Sequence, residues 1–401
     1  MKRGKIMSEA RIAQNTASSP GVRLPGAQGP VWLGALGGIV MLAASAGQTG
    51  GWRIAVGALL GALGGFALYH ASFGFTSAWR HFISTRRGGG VRAQLLLIAL
   101  LVAAGFPLIG WAGDLGLAVG GYVFPFGIAA AFGAFIFGFG MQLGGGCGSG
   151  TLYTVGGGST RMTITLAAFI AGSLLATAHW DAWQSLPQFP AMSLIWSAGT
   201  LPALIVALAI IAALFWMTAA LERRRHGTLA ADSPTGSLFH GPWSMTTGAI
   251  VLAVMAIGTL VVLGRPWGIT SAFALWGAKI ATAAGVDVQS WPYWQYSGAI
   301  EAPVLADATS VQDFGIMLGA LMAAGLAGRF APVARIGFGP LMAAVLGGLM
   351  MGYGARLAFG CNIGALLGGL TSGSLHGLGW LVFGFLGSVI AVRVRPLFKL
   401  D

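Results

Sequence analysis

The stretch 138–150 reads GFGMQLGGGCGSG, and the stretch 352–364 reads GYGARLAFGCNIG. Aligned without a gap, Gly138, Gly140, Gly146, Cys147 and Gly150 fall on Gly352, Gly354, Gly360, Cys361 and Gly364. The chain has 2 cysteines, and they occupy the same point in the two copies. The segment after each cysteine is too short to cross a bilayer and too apolar for an ordinary loop. A broken or re-entrant helix fits both places. Non-helical backbone at membrane depth is tolerated only where protein buries it or it lines a cavity.

The surrounding composition sets that depth. Of 401 residues, 56% are hydrophobic and 8% are charged, against about 25% charged in a soluble domain. Apolar runs close to the length of a membrane span recur along most of the chain. They are continuous rather than alternating, which argues against a β-barrel. The 67 glycines suit close helix packing in lipid. Membrane-crossing segments are expected near 31–46, 51–72, 94–112, 122–143, 163–180, 194–221, 244–264, 314–330, 338–358 and 375–392. The expected fold is therefore an all-α polytopic integral membrane protein of about ten crossing helices. Residues 1–30 are polar, lack a signal-peptide core and read as a disordered cytoplasmic tail. The halves then run 31–221 and 243–401, joined by a cytoplasmic linker at 222–242.

Loop charge orients the chain. Arg and Lys cluster in the N-terminal tail, after segments two, six and eight, and at the C-terminus. All fall on one face if both termini are cytoplasmic. Asp114, Asp181, Asp287, Glu301, Asp307 and Asp313 then fall in loops on the opposite face. The net charge of +12 needs no nucleic acid, because it reflects this bias and attraction to anionic lipid. On this count segment four enters its cysteine motif from outside and segment nine enters from inside. The halves are expected to be inverted-topology repeats, an arrangement that places a substrate path near the midplane. A weaker pair, GFTSAW at 74–79 and GITSAF at 268–273, obeys the same inversion.

A half-helix starting at each cysteine would offer free N–H groups and a positive dipole end to an anion. Cys147 and Cys361 would add a soft, polarisable sulfur with a weak S–H donor. The bland alternative is two small buried hydrophobes, but that leaves the duplication unexplained. Three successive glycines at 144–146 face different directions, so helix packing alone does not account for Gly146. Gly148, Gly360 and Asn362 flank the sulfurs and complete this candidate binding set. Arg356, whose repeat partner is Gln142, is an intramembrane charge and a functional candidate on that ground. Snorkelling to the interface is its alternative. The six histidines form no metal-ligand spacing with the cysteines. No cofactor or metal is expected, and no Walker A sequence is present.

The paired Gly-Gly-Cys-x-x-Gly elements, and above all GARLAFGCNIG at 354–364, resemble the YeeE/YedE sulfur-transport family over most of 51–395. The resemblance implies a bacterial inner-membrane permease, not an enzyme, with inverted repeats and an hourglass shape. It would import thiosulfate or a related anion, with Cys147 and Cys361 relaying the ion through S–H contacts. The family's importers often carry a further cysteine in a Gly-Phe-Cys element, where this chain has Gly74-Phe75-Thr76, so the resemblance adds Thr76 to the candidate binding set. A hydroxyl is a harder, shorter donor than a thiol, so another sulfur or selenium species is an alternative substrate. A membrane thiol enzyme or relay, passing a persulfide to a soluble sulfur-carrier protein, is a second functional reading.

Overall fold

The structure is a computed structural model describing residues 26–232, 236–332 and 335–400. Residues 1–25, most of the expected tail, lie outside the described residues. Among those described, 10 helices are long and apolar enough to cross a membrane. The chain is a multi-pass, all-α membrane protein, and its only sheet among the described residues pairs two residues with two.

After α1 (Gly29–Gly50), the first half contains α2 (Trp52–Ala71), α3 (Phe75–Thr85), α4 (Gly89–Gly110), α5 (Ile128–Gly144), α6 (Gly148–Gly156) and α7 (Thr160–Ala178). The short α8 (Trp180–Gln184) and α9 (Leu194–Ala198) lead into the long α10 (Thr200–His226). The second half contains α11 (Met245–Leu263), α12 (Thr270–Ala283), α13 (Ala308–Leu326) and α14 (Phe338–Leu357). A π-helical segment (Asn362–Leu367) then continues into α15 (Gly368–Thr371), followed by α16 (Leu375–Val394). Each half thus runs long helix, short helix, two long helices, short segment, long helix.

Packing obeys the same correspondence. Helix α5 packs on α16 as α14 packs on α7, and α2 packs on α13 as α4 packs on α11. The cysteine-bearing helices α5 and α14 meet each other directly. A Cβ on Gly133 would lie 2.7 Å from the Gly354 carbonyl oxygen, and one on Gly140 would lie 2.8 Å from that of Gly347. As α5 advances α14 retreats, so equivalent helices run antiparallel. Lipid gives helices no hydrophobic reason to associate, and close backbone packing has to supply it.

The interruptions have local causes. Helix α5 stops where Gly145 turns left-handed at φ 95°, its N–H returning to the Met141 carbonyl. Helix α14 stops at Phe359 (φ 58°) and Gly360 (φ 148°). These are backbone regions that side chains disfavour and glycine accepts. Beyond each break the cysteine is extended, with φ −82° and ψ −165° at Cys147 and φ −97° and ψ −166° at Cys361. The two cysteines therefore hold nearly the same backbone.

Several boundaries differ from the sequence expectation. Helix α5 starts at Ile128 rather than near 122, because Phe126–Gly127 is held extended against Gln188–Phe189. Helix α4 starts at Gly89, so Arg92 belongs to a helix rather than a loop. Arg92 is buried and lies 2.7 Å from the Glu222 carboxylate. Glu222 also accepts from the Gly88 and Ala230 amides and pairs with Arg87 at 3.3 Å. Three of these partners, Arg87, Gly88 and Arg92, hold α10 to the α3–α4 turn, and Ala230 folds the following loop back onto the same carboxylate. Asp313, expected in a loop, lies inside α13 and is fully buried.

The closest packing predicts an unequal response to bulk. A Cβ on Gly319 would collide with the Ala62 carbonyl, whereas one on Gly37 would meet nothing within 4 Å. Gly319→Leu should lower thermal stability in detergent by an amount equivalent to about 1–3 kcal/mol or more. Gly37→Leu should leave the melting temperature near wild type in the same fluorescence-detected assay.

Candidate functional site

Four short segments begin at the centre of the molecule. Cys147 is the N-cap residue of α6, and Cys361 is that of the Asn362–Leu367 segment. The Cys361 sulfur accepts from the Ile363 amide at 3.4 Å. The Cys147 sulfur lies 3.5 Å from the Ser149 hydroxyl. Backbone amides of Gly150 and Phe75 also face the Cys147 sulfur, and that of Gly364 faces the Cys361 sulfur. Phe75 opens α3, so a third N-terminus arrives at the first sulfur.

The fourth arrives from α12. A Cβ on Gly148 would lie 3.0 Å from the Cys361 sulfur and 3.5 Å from Ile269 Cγ2. A Cβ on Gly364 would lie 3.9 Å from the Gly268 Cα. Gly268 and Ile269 immediately precede Thr270–Ala283, so this helix too points its first turn inward. Each helix N-terminus carries roughly half a positive charge on unpaired N–H groups. The centre is thus electropositive without a cationic side chain, and two polarisable sulfurs sit within it. Both sulfurs are buried, Cys147 at 1% and Cys361 at 0% exposure, and both cysteines are free thiols.

Several buried polar atoms around the sulfurs have no hydrogen-bond partner among the described residues. They are the Thr76 hydroxyl, both amide atoms of Asn362, the Gln142 carbonyl oxygen and the Trp267 indole nitrogen. Such atoms are uncommon in native interiors and call for a water, an ion or a ligand. The Gln142 side-chain nitrogen donates to the Thr76 carbonyl at 3.1 Å, tying α5 to α3.

A cavity lies toward each end of α14. One, of about 370 Å³, is lined by Arg356, Phe359, Gly360 and Gly364 together with Arg265, Tyr122, Tyr293 and Trp180. The other, of about 540 Å³, is lined by Gly337 and Pro340 together with Arg161, Arg335, Tyr153 and Tyr69. Neither cavity is lined by Cys147 or Cys361. Arg356 is 6% exposed and donates to the Tyr293 hydroxyl at 2.9 Å, so it does not reach out to lipid. Arg265 donates to the Tyr122 hydroxyl at 3.3 Å and to Thr309 at 2.9 Å. Two guanidinium groups held on tyrosines therefore face the first cavity. On the other side Arg161 closes the end of α5 by donating to the Leu143 carbonyl at 2.8 Å.

The structure brings Cys147, Cys361, Gly148, Asn362 and Thr76 to the centre. Gly360 serves it by making the turn and by lining the first cavity. Gly146 does not face the sulfurs: a Cβ there would press on the Met162 side chain at 2.9 Å and on the Gly150 backbone. Its role is the tightness of the turn. Arg356 belongs to the cavity wall rather than to the sulfurs. Sequence reasoning missed Arg265, Trp267, Tyr122 and Tyr293. Arg265 carried a signal, being a lone arginine in a loop assigned to the acidic face. Among the described residues no group of three or more His, Cys, Asp or Glu could hold a metal.

The burial of the sulfurs predicts slow chemistry. A small thiol reagent should modify Cys361 and Cys147 far more slowly than a cysteine placed at the exposed Tyr296, and a bulky maleimide should modify neither in the folded protein. Labelling at the rate of the Tyr296→Cys control would contradict the placement.

Comparison with known proteins agrees with this architecture. A probable transporter, YedE of Escherichia coli (strain K12), is 30% identical over 172 residues, which is 40% of this chain and 42% of that protein. The aligned region thus spans less than half the length of that curated relative. The sulphur-transport family matches residues 70–390, a span that takes in all four short segments and both cysteines. The chain belongs to the sulphur-transport family.

Proposed function

We propose that the chain is an inner-membrane permease importing a small sulfur-containing anion, with thiosulfate as the first candidate. The observation that carries this reading is the convergence of four helix N-termini on Cys147 and Cys361. An oxyanion needs N–H donors and positive potential. A terminal sulfur needs a soft neighbour, which the thiols supply. Neither thiol is required to react, because many weak contacts release an ion more readily than one tight site. The halves act as inverted repeats about a pseudo-two-fold axis through the α5–α14 contact, which their antiparallel packing supports. With both termini cytoplasmic, the Arg265–Arg356 cavity is the outer mouth and the Arg161–Arg335 cavity the inner one.

Thr76 and Thr270 put hydroxyls into the first turns of α3 and α12. A harder donor in these places favours the oxygen end of a mixed sulfur–oxygen anion and leaves the two thiols for its soft end. A selenium analogue would be held by the same division of labour.

Uptake into proteoliposomes with thiosulfate, sulfite, sulfate and selenite tests the reading. Thiosulfate should enter fastest. Cys147→Ala and Cys361→Ala should each lower its initial rate about tenfold or more, the loss expected for a donor to a charged group. Arg356→Gln should raise KM more than it lowers the maximal rate, because it acts in the capture cavity. Wild-type rates in both cysteine variants, with folding verified, would refute the assignment.

A further inference from the structure

Asp313 has no place in the machinery described so far. It is 0% exposed, in the sixth position of α13, and neither carboxylate oxygen has a hydrogen-bond partner among the described residues. The corresponding sixth position of α4 is Gln94, also buried. Gln94 accepts from the Trp79 indole at 3.0 Å, and its side-chain nitrogen donates to the Gly74 carbonyl at 3.2 Å. Gly74 is the N-cap of α3, so Gln94 fastens the start of one of the four converging segments. An ionised carboxylate has no hydrogen to donate in that way; a protonated one has. Counted from the two helix starts, an amide stands at the sixth position of one helix and an acid at the sixth of the other.

The acid lies within electrostatic reach of the site. Asp313 interacts through space with Cys361, with Arg265 of the first cavity and with Asp307 at the cap of its own helix. Helix α13 packs on α1, α2, α6 and α12 and on the Val304–Ala306 turn. Of these, α1 and that turn carry no titratable side chain. Helix α2 carries Arg53, Tyr69 and His70, α6 carries Tyr153, and α12 carries Lys279, which donates to the Ile300 and Ala302 carbonyls. Arg265 is the only one of these cations that interacts with Asp313 through space, and it is shared with Tyr122 and Thr309.

We propose that Asp313 is a proton-binding site that links anion occupancy of the cysteine centre to uptake of one proton. The inference rests on the anion reading above. A carboxylate buried on a helix that packs against α6 and α12 repels an anion at their N-termini, and protonation removes the repulsion and supplies a donor of the kind Gln94 supplies with its amide. The step is an acid–base equilibrium: a proton from solution joins the carboxylate on anion binding and leaves it on release. By reciprocity each ligand tightens the other. An anion imported against an inside-negative potential moves uphill, and one proton carried with thiosulfate offsets one of its two negative charges.

Thiosulfate, whose own charge is constant near neutral pH, is the probe. In calorimetric titrations of purified protein its affinity should rise up to about tenfold per unit fall in pH, with one proton taken up per anion. Asp313→Asn should abolish that slope and the proton uptake. Asp313→Gln, which installs the residue of the equivalent position, serves if the asparagine variant does not fold. A wild-type affinity that does not change with pH, or an unchanged slope in the variant, overturns the proposal. If no sulfur anion binds the wild type, the transport reading falls, and the infrared carbonyl stretch of a protonated carboxyl then decides the proton site alone. A band present in the folded wild type and missing from the variant upholds that site. Its absence from the wild type at every pH overturns it.

Discussion

Backbone that leaves a helix inside a membrane must be sheltered by protein, and most of this architecture answers that requirement. The first N–H groups of a helix have no partner within it. Four such starts lie near the centre of the molecule, and lipid can satisfy none of them. Long helices therefore surround them, and those helices approach at backbone distance. Gly133, Gly140, Gly347 and Gly354 allow this across the α5–α14 contact. Gly61, Gly65, Gly315 and Gly319 allow it between α2 and α13. The glycine content and the polar centre are two sides of one constraint.

The centre holds no cationic side chain. Its positive potential comes from helix ends, and on the proposed function its affinity for soft atoms would come from Cys147 and Cys361. The arginines stand back in the cavities, where Arg356 and Arg265 are held by tyrosine hydroxyls and Arg161 by backbone carbonyls. A guanidinium against the ion would bind it strongly and release it slowly. Removed to the approaches, the same charge would, on the proposed function, gather anions and leave the narrow part free to pass them.

Much of this was legible in the sequence. The repeated cysteine motif announced paired breaks, and the length of the apolar runs announced the spans. The weak match at 74–79 and 268–273 reads only as a sign of inversion, and the structure starts two further short helices there. What the sequence left obscure depends on contacts between distant segments. Asp313 reads as a loop acid beside an apolar run, and only the extra turn of α13 from Ala308 carries it indoors. Arg92 reads as a loop cation, because its partner Glu222 stands at the far end of α10. Gly146 and Gly148 look alike in sequence, yet one makes a turn and the other faces a sulfur.

The two cavities have an electrical consequence. Helix α14 has 20 residues, about 30 Å at 1.5 Å per residue, and a cavity opens toward each of its ends. Water entering the cavities carries the bulk potential inward with it. The voltage across the membrane then falls mainly between the two cavities rather than over the whole bilayer. A charge stepping from one cavity to the other works against most of the drop, about 2.3 kcal/mol per elementary charge at 100 mV. On the proposed function, passage between the cavities would then be the voltage-sensitive step.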